Sequence, residues 1–301
     1  MEEAIDNATS QKVAVVTGAN KGIGLEICRQ LSARGVTVVL TSRDEERGLA
    51  AVRKLEASGA ADVVFHQLDV NESASVASLG DFIHTRFGKL DILVNNAAIG
   101  GVALNTQVLD SSKQAPVSSS GLANAIVETY ELAEECINTN FYGPKRVTEA
   151  LIPLLQSSQS PRIVNVSSLY GKLQYIRSER IKEELRNVDT LSEDRLDRLL
   201  QAFLNDFKEG KLDQNVWPTR NMMAYKVTKV ALSAYTRILA KRHPRFCINC
   251  VNPGFVKTDL NWNLGVLPVE VGAEGPVHLA MLPDGSPSGL FYDLKEVSSF
   301  E

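Results

Sequence analysis

KVAVVTGANKGIG, residues 12–24, runs from a short apolar stretch through a glycine cluster into GIGLEICRQLSARG (22–35), a segment of helical periodicity. In that segment Ile23, Ile27 and Leu31 recur at helical spacing, and Gly35 supplies a stop. A side chain at Gly18, Gly22 or Gly24 would block the tight turn, hold the backbone away from a pyrophosphate, or separate helix from strand. Asn20, Lys21 and Ile23 complete the loop, and the free N–H groups at the helix start are positioned for phosphate. Glycines alone are weak evidence, because loops collect them. Between an apolar strand and an amphipathic helix they point to a dinucleotide.

Working outward, apolar runs recur at 36–41, 62–68, 90–96, 162–168, 246–253 and 288–294, giving seven strands with the first. Most are rich in Val, Ile and Leu without strict alternation, as expected of strands buried on both faces. The stretches between them are long enough for crossover helices. The pattern predicts an α/β fold, a doubly wound (Rossmann) parallel seven-stranded sheet with helices on both faces. Residues 1–301 are expected to form one dinucleotide-binding domain. Residues 1–11 would be a solvated, flexible tail, and 101–130 and 173–222 two insertions. The second insertion carries Leu196, Leu199, Leu200, Phe203, Leu204 and Phe207 on one helical face, which predicts a helix pair packed onto the main body before Tyr225.

With 32 basic and 36 acidic side chains and a net charge of -4, the chain has no bias toward nucleic acid or anionic membranes. No apolar run is long enough to cross a bilayer, and the N-terminus lacks the pattern of a secretory signal. The four cysteines suit a reducing cytosol, so a cytoplasmic location is expected. Cys247 and Cys250 form a C-x-x-C within a strand, where residues three apart face opposite ways. The structural reading of this pair is favoured over a metal or redox site, and no metal is expected.

The end of the second strand bears on which dinucleotide is bound. An acid there would accept hydrogen bonds from a ribose diol, whereas a base suits a 2′-phosphate. The sequence has Thr41-Ser42-Arg43, with Lys21 in the glycine loop, and two cations near one ribose favour NADPH. Asp44 follows, and a one-residue offset would present an acid instead. Farther along, Tyr225 and Lys229 lie one helical turn apart on one face. A free phenol titrates near about 10, and a neighbouring ammonium would lower that value toward a useful range. Such a pair is common on solvated helices, so its position must decide. Ser168 ends the fifth strand, at the sheet edge where ligands of doubly wound folds bind.

The G-x-x-x-G-x-G spacing resembles the short-chain dehydrogenase/reductase family, and further segments match in order over roughly 12–294. The resemblance implies that Asp69 and Val70 contact adenine and that Asn96, in Asn95-Asn96-Ala97-Ala98, borders the cofactor. Ala98 departs from the family's usual glycine. Asn140 matches the active-site asparagine, implied to hold a water in a proton relay beneath Lys229. Ser168 would orient the substrate carbonyl while Ser167 is structural. Val256 and Thr258, in PGFVKT (253–258), would contact the nicotinamide carboxamide. Asn140, Ser168, Tyr225 and Lys229 then form a catalytic tetrad, with Tyr225 and Lys229 also touching the cofactor.

The long interval between Ser168 and Tyr225 resembles that of the monomeric carbonyl reductases and of plant menthone- and salutaridine-type reductases. In most of the wider family, helices near this region pair with a second subunit, so an inserted element predicts a monomer. The expected reaction is NADPH-dependent reduction of a small apolar ketone or aldehyde, such as a terpenoid or alkaloid ketone or a reactive aldehyde. Phe255, Trp262, Leu264, Val266 and Leu267 form either a lid or packing beneath the loop, and the two readings weigh equally. Two rivals stand beside this function. Reduction of an enone double bond is disfavoured by an intact Tyr225, and a silent NADPH-binding sensor or scaffold by a complete tetrad.

Overall fold

The computed structural model describes residues 11–105, 125–218 and 221–301. The tail expected at 1–11 lies outside the described residues except for Gln11, as does 106–124 of the first insertion.

β1 (Val13–Val16) is buried along its whole length and has a parallel neighbour on each side. These are β2 (Thr37–Ser42) and β4 (Ile92–Asn95). Outward from β2 lies β3 (Val63–Gln67). Outward from β4 lie β7 (Arg162–Val166), β8 (Cys247–Asn252), β9 (Phe291–Asp293) and β10 (Glu296–Ser298). The order is β10-β9-β8-β7-β4-β1-β2-β3. Chain order reverses at β1, which opens a crevice between the C-terminal ends of β1 and β4.

Both faces of this sheet are covered, which explains the missing alternation. Ala14 and Val16 pack with Ile27 and Leu31 of α1 (Gly22–Ser32), Ala51 and Leu55 of α2 (Glu45–Ala57), and Ala273 and Val277 of a late helix, Val269–Ala280. Val13 and Val15 belong to the opposite layer. There α3 (Ser73–Phe87), α4 (Tyr130–Ile137), α5 (Gly143–Gln156) and the catalytic-region helix contribute.

Seven strands were expected and the sheet has eight. The seven expected strands are parallel, and β10 adds an antiparallel edge to β9. β10 has only three residues, and Val297 is 62% exposed, so no buried apolar run marks it. A separate two-stranded ribbon pairs β5 (Ala103–Leu104) with β6 (Ile126–Val127).

The second insertion forms α6 (Glu179–Arg186) and α7 (Glu193–Lys208), capped by Ser178 and Ser192. Leu196, Leu200, Phe203 and Leu204 of α7 are buried, while Leu199 and Phe207 are partly buried. α7 packs on α4 and on α8 (Met223–Arg242), the helix that carries Tyr225. The helix pair expected from the apolar spacing is therefore present. The last helix, Val269–Ala280, is α9.

Candidate active site

The glycine loop fits a pyrophosphate for reasons visible at each position. Gly18 has φ +62°, and a Cβ there would stand 2.8 Å from Ala97 Cα. A Cβ on Gly24 would meet Asn96 Nδ2 at 2.5 Å. Gly22, with φ +58°, faces a gap instead: its Cβ would touch only Thr258 Cγ2, at 3.6 Å. α1 begins at this gap with Lys21 as N-cap, no side-chain cap and no acid in its first turn. α2, α4, α6 and α7 all have side-chain caps. An uncapped, positively polarised helix end beside an open gap suits an anion. Asn20 is half-buried in the same loop, and Ile23 packs into the layer beneath it.

At the end of β2, Arg43 is exposed. Asp44 is committed elsewhere, since its carboxylate accepts the Arg47 N–H at 2.9 Å and caps α2. Lys21 pairs with Asp259 at 2.7 Å, across the mouth of the gap. Asp69 follows β3 and accepts the Asn71 N–H, while Val70 is buried against Gly143.

Asn96 acts on the cofactor loop itself. Its amide donates to Thr17 O (2.9 Å) and Gly18 O (3.1 Å), and its backbone N–H donates to Thr17 Oγ1. Val256 is buried and bridges Leu267. Thr258 caps a short 3₁₀ turn, Asp259–Asn261, in a reciprocal capping box with Asn261. The two readings of the apolar loop divide by residue. Leu267 packs beneath Gly254, whereas Phe255 and Val266 are 54% and 80% exposed.

Ser168, Tyr225 and Lys229, three of the four expected catalytic residues, meet at the C-terminal edge of β7. Ser168 accepts the Tyr170 N–H, and its hydroxyl lies near enough to the Tyr225 phenol to favour the phenolate. Ser167 is buried and bonds Ser233 Oγ at 3.0 Å, a structural contact. Lys229 is buried, donates to Val166 O at 2.8 Å, and holds its Nζ 5.4 Å from the Tyr225 ring centroid. The ammonium therefore sits over the ring rather than on the phenol oxygen.

That geometry changes the acid–base picture. Burial pushes the Tyr225 phenol well above its usual range, with the Ser168 hydrogen bond pulling weakly the other way. Burial also pulls Lys229 down to about 8. The expected lowering of Tyr225 by its lysine is not produced, because desolvation dominates at this site. Tyr225 is accordingly protonated at neutral pH.

Asn140 lies in a π-helical turn, Asn138–Tyr142, between α4 and α5. Pro144 at the start of α5 lacks an N–H, and Gly143 N–H reaches back five residues to Asn138 O. The Asn140 amide is fully engaged: Oδ1 accepts Ile99 N–H (2.9 Å), and Nδ2 donates to Ile99 O (2.8 Å) and Cys136 Sγ. The side chain pins the strand-end loop to the turn. The C-x-x-C sulfurs diverge as expected, Cys247 toward Pro287 O and Cys250 toward Leu290 O, both as free thiols.

Residues 12–179 match the family model described as short chain dehydrogenase. The chain belongs to the short-chain dehydrogenase family. It is therefore an oxidoreductase of alcohol and carbonyl groups that uses a nicotinamide cofactor. Among similar proteins, the short-chain dehydrogenase/reductase 1 of Saponaria officinalis is 54% identical, covering 100% of both chains. The (+)-neomenthol dehydrogenase of Arabidopsis thaliana is 53% identical over 96% of this chain and 98% of that one. The solved structure of salutaridine reductase from Papaver somniferum has a TM-score of 0.88 at 48% identity, covering 94% of this chain and 99% of that chain.

Three residues of this short-chain dehydrogenase's site escaped sequence reading. Tyr170 packs edge-on to Tyr225, with centroids 6.3 Å apart, and only its place two residues after Ser168 hinted at this. Asp259 pairs with Lys21 across 238 positions of sequence. Glu128 accepts the Met223 N–H at the start of α8, across 95 positions. No sequence signal marks it, since the residue it touches is supplied by the fold.

Proposed function

We propose that this chain reduces the carbonyl of a small, largely apolar ketone or aldehyde, of terpenoid or alkaloid type, with NADPH as its cofactor. The observation that carries the reading is the Ser168–Tyr225 hydroxyl pair at the sheet edge, with buried Lys229 one turn farther along α8. NADPH supplies the hydride when bound. Tyr225, held protonated by burial, donates its proton to the carbonyl oxygen, and Ser168 steadies that oxygen with a second hydrogen bond. Lys229 holds a positive charge beneath the ring. Asn96 braces the glycine loop, and Asn140 braces the loop at Ile99.

The 2′-phosphate preference is supported by exposed Arg43 and by Asp44 being consumed as a helix cap. An apolar substrate is supported by Leu169, next to Ser168, and by Phe255, Leu264 and Val266, all of which leave apolar surface uncovered. The test is a panel of cyclic ketones and reactive aldehydes, with nicotinamide absorbance followed separately for NADPH and NADH. Turnover is expected with NADPH. Tyr225→Phe is expected to lower kcat about 10²- to 10⁴-fold while NADPH still binds. Absence of turnover across the panel, or an unimpaired Tyr225→Phe, overturns the reading.

A further inference from the structure

α8 begins in an unusual way for a helix that carries the reacting groups. Asn221 and Met222 both adopt left-handed backbone, φ 59° and 60°, a conformation that Asn tolerates and Met rarely occupies. Met222 provides no side-chain cap, and the first turn holds no acid. It holds a cation instead, Lys226, at the helix end that least favours one. Successive N–H groups in such a turn converge into a concavity suited to an anion.

The concavity is filled from within. Glu128, on the connection between β6 and α4, accepts the Met223 N–H with Oε2 at 2.7 Å, and the neighbouring Met222 and Ala224 amides favour its charged form. Lys226 feels the same carboxylate and lies over the Tyr170 ring, 5.3 Å from its centroid. Tyr170 in turn meets Tyr225 edge-on. The turn also brings Met222 against Gly100, where a Cβ would stand 3.7 Å from Met222 Cε.

We propose that Glu128 is a positioning residue for catalysis: its carboxylate, seated on the first amides of α8, sets where the Tyr225 hydroxyl stands relative to Ser168. The inference rests on the reading of Tyr225 as proton donor. Tyr225 follows Met223 by two residues, so the bonded turn and the phenol move together. A second route runs through Lys226 and Tyr170 to the same ring. An ordinary cap would come from the adjacent residue, as Ser192 serves α7. This one ties the β5–β6 side of the site to the catalytic helix, and burial of the carboxyl raises its pKa despite the amides that face it. Position, rather than helix stability alone, accounts for a long-range carboxylate there.

The test compares Glu128→Ala, Glu128→Gln and Glu128→Asp in the full chain. Glu128→Ala is expected to lose about ten- to a hundred-fold in kcat, the scale of a small misplacement of a reacting group. NADPH affinity should change less than about two-fold, and faster amide exchange should be confined to 222–226. Glu128→Gln keeps an acceptor oxygen and should recover most of the lost kcat. Glu128→Asp, a methylene short, should fall between; it provides the graded comparison if Glu128→Ala does not fold. The proposal is overturned by unchanged kcat in Glu128→Ala and Glu128→Asp, or by a fall in kcat that is matched by NADPH affinity and by exchange throughout the molecule. Unchanged exchange at 222–226 also overturns it, whatever the activity. A wild-type chain that reduces no carbonyl overturns the functional reading instead, and the exchange measurement separates the two failures.

Discussion

Arg43 and Asp44 are neighbours with opposite charge, and their roles diverge because the helix start captures one of them. Asp44 caps α2 through the Arg47 N–H, while Arg43 beside it stands exposed at the end of β2 with no such role. Arg43→Ala should weaken NADPH binding about ten- to a hundred-fold, the loss of a charge-assisted hydrogen bond worth about 1.5–3 kcal/mol. NADH binding should barely change, and fluorescence titration with both cofactors checks this; equal losses would mean that Arg43 does not read the phosphate. Lys229 gives a pH prediction. Burial lowers it from 10.5 to about 8, so it loses its proton as pH climbs through about 8 while Tyr225 stays protonated. Carbonyl reduction, read as kcat/KM, should therefore fall above about pH 8, and Lys229→Met should remove that limb. For stability, the unfolded chain holds this proton up to higher pH than the folded one. The cost of the buried cation is thus full below about 8 and is relieved toward 10.5. At this scale the turn-apart placement of Tyr225 and Lys229 and the place of Ser168 after β7 were legible, because i,i+4 spacing and a strand end are local signals. Glu128 and Asp259 were not, because their partners come from distant sequence.

Ser168 owes its position to a short element rather than to β7 alone. After β7 the chain makes a 3₁₀ turn, Leu169–Gly171, packed directly on α8. A Cβ at Gly171 would collide with Ser167 Oγ and stand 2.6 Å from Ser233 Oγ and 3.1 Å from Lys229 O, all backed by buried structure. Gly171→Ala should therefore push the turn off α8, costing about 1–3 kcal/mol as overpacking does. Thermal melting should show a lower midpoint, and kcat should fall with it because Ser168 and Lys229 are on opposite sides of that contact. An unchanged melt and kcat would show that the turn yields freely. The sequence pattern marked seven strands because each buries apolar residues, and it missed β10 because Val297 lies in solvent. Nor does that pattern mark the π turn at Asn140. The π turn depends on Pro144 failing to donate and on the Asn140–Ile99 bonds, and only the second of these needs the fold.

The largest departure from a plain doubly wound layout is the stretch between Ser168 and Tyr225, and its placement is a statement about assembly. α7 puts Leu196, Leu200, Phe203 and Leu204 against the layer formed by α4 and α8, and Phe203 meets Trp217 edge-on at 5.3 Å. Trp217 is itself anchored, its indole N–H donating to Asp206 at 2.7 Å. Lys145 of α5 pairs with Glu193 at the head of α7, closing the same seam with charge. Apolar surface that α4 and α8 would otherwise present is buried by the chain's own insertion, which removes the driving force for a second subunit to cover it. We infer a monomer on this ground. The apolar period of 192–210 made the helix legible in the sequence, but not which helices it would cover, since that depends on how the connection returns to α8. Light scattering at micromolar concentration should give the mass of one chain, 32.9 kDa. A mass twice that would show that a face other than the one under α7 forms the interface, and would leave the insertion as a wall of the site alone.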